Sequence, residues 1–574
     1  MMQNEEIAGI FDDVADMLEI GGENFFRVRA YRNAARAVRD FPVAIGDLPR
    51  DRFREIPGFG ADLASKLAVL LETGDLPIRI ELMRSFPIGL RELKHLPGLG
   101  PKRIKLLADR LGIRNREELK HAIEAGLLRT IHGFGARMEE RLLEALAREP
   151  ASAASRRIGY ADARISADAL LNHMYGCIGL EQIAVAGSFR RRLETIGDLD
   201  LVTSSANANP MIERFLAFPG IIKTLGSDPT RTTVVLNSGV QVCLHVAPRS
   251  SWGAALICFT GSQAHYVQIR RAAHDRGLLL NERGLYRDGK LVAGAEEGDV
   301  YRELGLAWIP PELREDRCEI EAARDQRLPH LIALTDLRGD LHAHSTWTDG
   351  RASIEEMAVG ARGAGLEYFA LTDHSQRLAM AHGLDPARLR EQWREIDAVA
   401  ARVSGISILR GIEVDILDDG TLDLPDEVLA ELDWVVASVH SKLNMDSVAM
   451  TRRIVRAIRN RNVDVIGHPS GRVIDYRPPS DFDLSEILRI SREEGCALEV
   501  NSQTDRLDLT DVASMAAKRA GVKLVVSSDS HSPRGFGLLE YGVNQARRGW
   551  LEPADVLNTQ PLAKLRQRQR LSHA

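Results

Sequence analysis

"DLHAHSTWTDG", residues Asp340–Gly350, decides how the second half of the chain reads. An H-x-H pair on a strand sends both imidazoles, His342 and His344, to one face. Asp349 follows in the next turn. The theme recurs downstream: "LTDHS" holds His374, "GIEVDI" Glu413, "ASVHS" His440, "IGHPS" His468, and "VSSDSHS" both Asp529 and His531. Short apolar runs precede most of these residues (Tyr368–Leu371, Trp434–Val439, Val463–Ile466, Lys523–Ser528), and helical patterns separate them. Strand–helix alternation with polar residues at strand ends predicts an α/β barrel whose site lies at its C-terminal face. A lone histidine is more often a satisfied structural residue than a ligand. Histidines and acids recurring at strand ends over residues 342–531 point instead to metal. Mixed imidazole and carboxylate ligation suits Mn²⁺ or Zn²⁺ better than Mg²⁺.

Upstream, "VAGSFRRRLETIGDLDLVTS" (Val185–Ser204) places Asp198 and Asp200 two apart at the start of a strand, so both carboxylates leave one face. Such a pair can hold two Mg²⁺ ions for phosphoryl transfer. Gly187 and Ser188, in a turn, offer donors to a triphosphate, with Arg190 and Arg191 near. D-x-D alone is common and mostly structural; G-S-x-R-R ahead of it is more specific. "GVQVCLHVAP" (Gly239–Pro248) is a strand with Val240, Val242, Leu244 and Val246 on one face and Gln241, Cys243 and His245 on the other. Cys243 is there as a small hydrophobe or, if the carboxylate pair stands opposite, in the place of a third acid.

The first 150 residues carry a weak repeat: Ile56–Gly74, Leu96–Ile113 and Ile131–Ala147. Each copy runs from an apolar residue through x-Gly-apolar-Gly into an amphipathic helix. The glycine pairs are Gly58 and Gly60, Gly98 and Gly100, and Gly133 and Gly135. They let the chain turn with positive φ and present unpaired N–H groups at a helix start, where phosphate binds without regard to sequence. One copy is a generic helix connection; three point to DNA. Lys102 belongs to a basic run around the second copy. A second basic amphipathic helix, Glu23–Phe41, carries Tyr31. Lys66 sits beside the apolar stripe of Leu63, Leu67 and Leu70, where a lysine usually snorkels but where a desolvated amine can act as a Schiff-base nucleophile.

The 574 residues are 44% hydrophobic and 27% charged with a net charge of −6, so bulk charge gives no support to nucleic-acid binding and leaves it to local patches. Five scattered cysteines without a C-x-x-C pair suit a reducing compartment. The acidic start differs from a signal peptide, and no apolar run nears the ~18 residues of a membrane span. A cytoplasmic protein without a membrane partner is expected. "ASAASRR" (151–157) looks like a linker.

Taken together these motifs resemble the bacterial family X DNA polymerases, DNA polymerase beta-like chains with a C-terminal polymerase-and-histidinol-phosphatase (PHP) domain. The resemblance extends to "FTGS" (Phe259–Ser262), "LLLNERGLY" (Leu278–Tyr286) and "WIPPELRE" (Trp308–Glu315), which match the thumb. It implies a multidomain chain: an all-α helix-hairpin-helix DNA-binding region over 1–150, lyase-like and fingers-like; an α+β nucleotidyltransferase-type palm over 158–247; a thumb over 248–316; a linker over 317–337; and an α/β PHP barrel over 338–574. It puts Lys66 at the lyase position and Tyr31 at a 5′-phosphate. Gly187, Ser188 and Arg191 fall at the nucleotide, and Asp198 and Asp200 on two of the palm's three aspartates. The third falls on Cys243. Arg192, Leu193, Cys258 and Tyr266 also depart from the family pattern, so Mg²⁺ in the palm is doubtful and the polymerase site reads as impaired.

All nine PHP ligand positions match. The resemblance implies His342, His344, Glu413 and Asp529 at one ion, Glu413 bridging to a second held by His440 and His468, and Asp349, His374 and His531 at a third. Such a cluster lowers the pKa of a bound water for phosphoester hydrolysis. The expected function is DNA repair, including base excision repair: a metal-dependent 3′→5′ exonuclease or 3′-end phosphoesterase acting as a monomer on gapped, nicked or 3′-blocked DNA. The alternatives are an active gap-filling polymerase with associated exonuclease, a small-molecule phosphatase, and a DNA-binding scaffold without catalysis.

Overall fold

The computed structural model describes the chain except residues 1–3, 22, 42–44, 46–47, 57, 74–75, 77, 80–81, 83–92, 94–95, 97–98, 132–133, 148–156, 379–380 and 573–574. Two compact units result, Met1–Ser152 and Ala153–Ala574.

The first unit contains α1 (Asn4–Gly21), α2 (Phe25–Asp40), α3 (Ala61–Thr73), α4 (Pro101–Leu111), α5 (Arg116–Glu124) and α6 (Ala136–Ala147). Helices α3, α4 and α6 each follow one of the three glycine repeats. The leucine stripe of α3 is buried as its period requires: Leu67 and Leu70 join Phe11, Tyr31 and Val38 in one core. Leu107, Leu119, Phe134 and Leu142 form another. Gly58 has φ +80°, the left-handed turn that a glycine makes without strain. Gly98 and Gly133 lie outside the described residues.

The second unit begins with the palm. Its five strands, β1 (Gln182–Val185), β2 (Asp198–Ser204), β3 (Ile221–Asp228), β4 (Arg231–Leu236) and β5 (Gln241–Ala247), lie in the order β1-β2-β5-β4-β3. Strands β2 and β5 are parallel, with Asp200 beside Cys243 and Val202 beside His245. Val242, Leu244 and Val246 are buried with Leu170 and Phe215 of the covering helices, which turns Cys243 and His245 to the opposite face, as the alternation predicts.

The thumb follows, with helices α7 (Trp252–Thr260) and α8 (Gln263–His274) and a three-stranded antiparallel sheet of β6 (Leu279–Asn281), β7 (Gly284–Arg287) and β8 (Lys290–Ala293). The expected linker over 317–337 is not one. It contains helix α9 (Glu319–Arg324), and Ile320, Ala323 and Leu331 complete the thumb core while Ile332 and Leu337 enter the barrel core. The apolar residues of this stretch are worth burying, so it is packed on both sides.

Seven parallel strands form the barrel: β9 (Gly339–Ala343), β10 (Tyr368–Leu371), β11 (Ser407–Asp415), β12 (Trp434–Ser438), β13 (Val465–Ile466), β14 (Ala497–Asn501) and β15 (Leu524–Ser527), adjacent in sequence order. A parallel bridge between Ala343 and Ser530 brings the last strand back towards the first, leaving the barrel nearly closed. Intervening helices such as Ile354–Gly363 and Pro386–Ala400 pack on it through Ile354, Met357, Leu389 and Ile396. Palm and barrel are tied by charge: Arg472, four residues past His468, grips Glu194 with two bonds of 3.1 and 2.6 Å, and Arg164 meets Glu540 at 2.7 Å.

Candidate functional site

The nine predicted ligands converge at the C-terminal ends of the barrel strands, each sent there by its strand or by the loop that follows it. Glu413, at the end of β11, is 1% exposed and stands at the centre. Its Oε1 lies 3.2 Å from His440 Nε2 and 3.0 Å from His468 Nε2. Its Oε2 lies 2.8 Å from His374 Nδ1, 3.4 Å from His342 Nε2 and 3.6 Å from His344 Nε2. Asp529 Oδ1 is 3.1 Å from His344 Nε2, and Asp349 Oδ2 is 3.4 Å from both His374 Nε2 and His531 Nε2.

Several buried ring nitrogens here, His342 Nε2 and both nitrogens of His344 among them, have no aligned hydrogen-bond partner although carboxylate oxygens stand close. Buried polar atoms rarely go unsatisfied, and ring nitrogens and carboxylate oxygens converging without aligned bonds between them suit a cation. Electrostatics agree. Burial, with His531 and His374 alongside, pulls His344 down to about 3, a neutral imidazole. Burial also opposes charge on His374 and His440, but Glu413 outweighs it, together with Asp349 for His374 and Asp415 for His440. They are lifted to about 10 and about 9. Divalent ions exchange for such protons. The donor set therefore fits metal.

Three residues that the sequence did not single out support the ligands. Glu499 on β14 meets His342 Nδ1 at 2.8 Å and accepts the His468 backbone N–H at 2.5 Å. Asp415 meets His440 Nδ1 at 3.2 Å, and Asn501 donates to Asp529 at 3.0 Å. Carboxylates behind ligating histidines fix the tautomer and ring orientation. Asp415 was detectable as the second acid of "GIEVDI"; Glu499 had no spacing signal.

In the palm, Asp200, Cys243 and His245 share one face. His245 Nε2 is 3.1 Å from Asp200 Oδ1, and its ring stacks on Phe259 at 3.7 Å. Although burial opposes it, His245 is held up at about 9 by Asp200 and Cys243. Arg231 Nε donates to Cys243 Sγ at 3.1 Å. Gly187 has φ +61°, and a Cβ there would meet Asp200 Oδ2 at 2.7 Å, so only glycine lets the loop close on this carboxylate. Ser188 Oγ is buried without a partner, as a phosphate-binding hydroxyl can be. The arginines are engaged elsewhere. Arg190 forms a two-bond pair with Glu297 at 2.8 and 2.9 Å. Arg191, expected at the nucleotide, donates to the Thr260 carbonyl and to Glu315 at 3.0 Å. Arg192 turns to Asn544 and, at 3.2 Å, to Glu312.

In the first unit Lys66 and Tyr31 come together, the ammonium 5.2 Å from the ring centre. Lys66 also pairs with Asp62 at 2.5 Å; burial opposes its charge, but Asp62 and Tyr31 raise its pKa, which keeps it protonated rather than nucleophilic. Gly60, Gly100 and Gly135 stand immediately before α3, α4 and α6. Lys102 lies on α4, its side chain outside the described residues.

No helix among the described residues is long and apolar enough to cross a membrane. Residues 2–76 match a helix-hairpin-helix domain model and 90–148 a SAM-like helix-hairpin-helix tandem. Residues 255–315 match the DNA polymerase beta thumb, and 340–503 the PHP domain. A DNA polymerase/3′-5′ exonuclease PolX of Bacillus subtilis (strain 168) is 36% identical over 98% of both chains. A probable phosphatase of Thermoanaerobacter sp. (strain X514) is 32% identical over 38% of this chain and 89% of its own length, and one of Vibrio campbellii 29% identical over 34% and 78%. The phosphatases thus resemble only a part of the chain, whereas the PolX likeness runs through helical region, palm, thumb and barrel alike, and on that end-to-end match the chain belongs to the family X DNA polymerases that carry a PHP domain.

Proposed function

We propose that the barrel is a metal-dependent 3′→5′ exonuclease or 3′-end phosphoesterase acting on DNA held by the helix-hairpin-helix region and thumb. The observation that carries this reading is the gathering of eight side chains around buried Glu413, five of them imidazoles in contact with it, with unsatisfied ring nitrogens among them. His342, His344, Glu413 and Asp529 would hold one Mn²⁺ or Zn²⁺, Glu413, His440 and His468 a second, and Asp349, His374 and His531 a third. Such ions supply Lewis acidity to a phosphate and acidify water.

The chain's own residues do the rest. Asp349 and His531 are the most exposed of the set, with side chains 38% and 33% accessible, so a phosphate approaches from their side. His342, His344 and Glu413 form a dry floor, where electrostatic interactions are strong. Glu499 and Asp415 hold two imidazoles in ligating orientation. The glycine turns bind DNA by its backbone, which delivers ends of any sequence. A small phosphate ester needs no such grip, which disfavours a small-molecule phosphatase.

In the palm we propose a weakened polymerase, because a thiol at Cys243 is a poor Mg²⁺ ligand and Arg190 and Arg191 are committed to Glu297 and Glu315. Active gap filling is the second reading. The intact Asp198–Asp200 pair and the polymerase name of the Bacillus relative favour it. A labelled gapped duplex with Mn²⁺, with and without nucleotides, tests both. Degradation lost in Glu413→Ala supports the nuclease, and undiminished degradation overturns it.

A further inference from the structure

The palm face beside the Asp198–Asp200 pair presents three different ligand atoms: an Asp200 carboxylate oxygen, Cys243 Sγ and a His245 ring nitrogen, all within 4.8 Å of one another. We propose that Asp200, Cys243 and His245 form a site for one soft divalent cation of the Zn²⁺ class, distinct in chemistry from both the barrel cluster and a Mg²⁺ polymerase site.

Geometry is the first support. Zinc bonds of about 2.0–2.3 Å in a tetrahedron set ligand atoms about 3.3–3.6 Å apart. His245 and Asp200 already stand 3.1 Å apart. The parallel register of β2 and β5 fixes the Cys243 backbone beside Asp200. Phe259 stacked on the imidazole and Gly187 closed on the carboxylate hold two of the three ligands in place.

Donor chemistry is the second. Sulfur and imidazole select Zn²⁺ or Co²⁺, whereas Mg²⁺ asks for an octahedron of oxygens. Cys243 is 3% and His245 7% exposed, so water competes poorly, while the Asp200 side chain keeps 21% exposure and leaves a fourth position open. Charge is the third. With Cys243 as thiolate, Asp200 and Cys243 carry two negative charges and Arg231, on the sulfur, one positive charge. The net −1 accepts a dication with neutral His245, and an N–H···S bond from Arg231 tempers the thiolate without using all its lone pairs.

Cobalt reads this site separately from the barrel, because a thiolate bound to Co²⁺ gives a charge-transfer band in the near ultraviolet and the nine barrel ligands contain no sulfur. Among the described residues, this is the one metal-capable group with a cysteine. The whole chain, stripped of metal and titrated with Co²⁺ until the barrel sites are filled as well, should show the band, saturating at the intensity of one thiolate–Co²⁺ bond per chain. It should persist in Glu413→Gln and vanish in Cys243→Ala. His245→Gln should weaken the cobalt affinity at least tenfold. Absence of the band in the unaltered protein overturns the proposal whatever the variants do, and so does a band that survives Cys243→Ala. Because the readout is sulfur-specific, failure of the nuclease reading leaves the result untouched, and the reverse holds.

Discussion

The barrel and the palm both bring acids and imidazoles together on neighbouring parallel strands, yet one is open and the other closed on itself. In the barrel, ring nitrogens of His342 and His344 point at carboxylates without an aligned hydrogen bond. In the palm, His245 is bonded to Asp200, Cys243 to Arg231, Arg190 to Glu297 and Arg191 to Glu315. Unsatisfied buried donors and acceptors mark a place that a ligand can enter directly; satisfied ones mark a place where a ligand has first to displace existing bonds.

The largest expected effect tests the open site. Glu413→Ala removes the carboxylate shared by five imidazoles, and exonuclease activity should fall by about a thousandfold or more, beyond the roughly 10–100-fold typical of supporting residues. A loss under tenfold would mean that the barrel cluster is not the reacting centre.

Glu297→Gln tests the closed one. It strands Arg314, fully buried, and Arg190, and breaking a buried pair costs about 3–5 kcal/mol. Urea unfolding of the thumb should shift accordingly. Burial opposes ionisation, but the arginines hold the Glu297 carboxyl well below its ordinary range, so its stabilisation is present above the unfolded pKa of about 4.3 and fades as pH falls below it. Unfolding that is indifferent to acid would deny the pair this role.

Primer extension comes next. With Glu413→Ala suppressing degradation, Mg²⁺-dependent filling of a one-nucleotide gap should run at least about a hundredfold below what a full two-metal site gives, since lost transition-state stabilisation of a few kcal/mol has that size. Cys243→Asp should restore little, because Arg190, Arg191 and Arg192 stay engaged elsewhere. Brisk extension by the Cys243 protein would erase the contrast between the two sites.

The smallest effect is at Glu499. Glu499→Gln keeps the shape but weakens the partner of His342, and metal affinity should drop about 10–100-fold. Calorimetric titration with Mn²⁺ measures it; unchanged affinity would leave Glu499 a packing residue.

Much of this was legible in sequence because strand ends announce themselves. Apolar runs closing on His or acid gave the barrel, and the x-Gly-apolar-Gly turns gave α3, α4 and α6. What escaped depends on distances across the fold. Glu499 carries no local pattern, and its role exists only because closure of the barrel brings β14, through β15, to within one strand of His342 on β9. The alternation of "GVQVCLHVAP" put His245 beside Cys243, but not its bond to Asp200. The stretch 317–337 read as linker because its short apolar segments signal no long element, although each segment has its own core to fill.

Helix Leu539–Arg548 turns that packing into a limit on dissection. Arg548 caps the Arg191 carbonyl at 2.9 Å and pairs with Glu315 at 2.9 Å, while Arg547 meets Glu312 at 2.8 Å. Anyone excising the barrel at residue 338 as a stand-alone reagent would bare these arginines, together with Arg472, on a newly wetted face. A soluble minimal nuclease would call for redesign of that surface, with acids supplied from within the barrel in place of Glu194, Glu312 and Glu315.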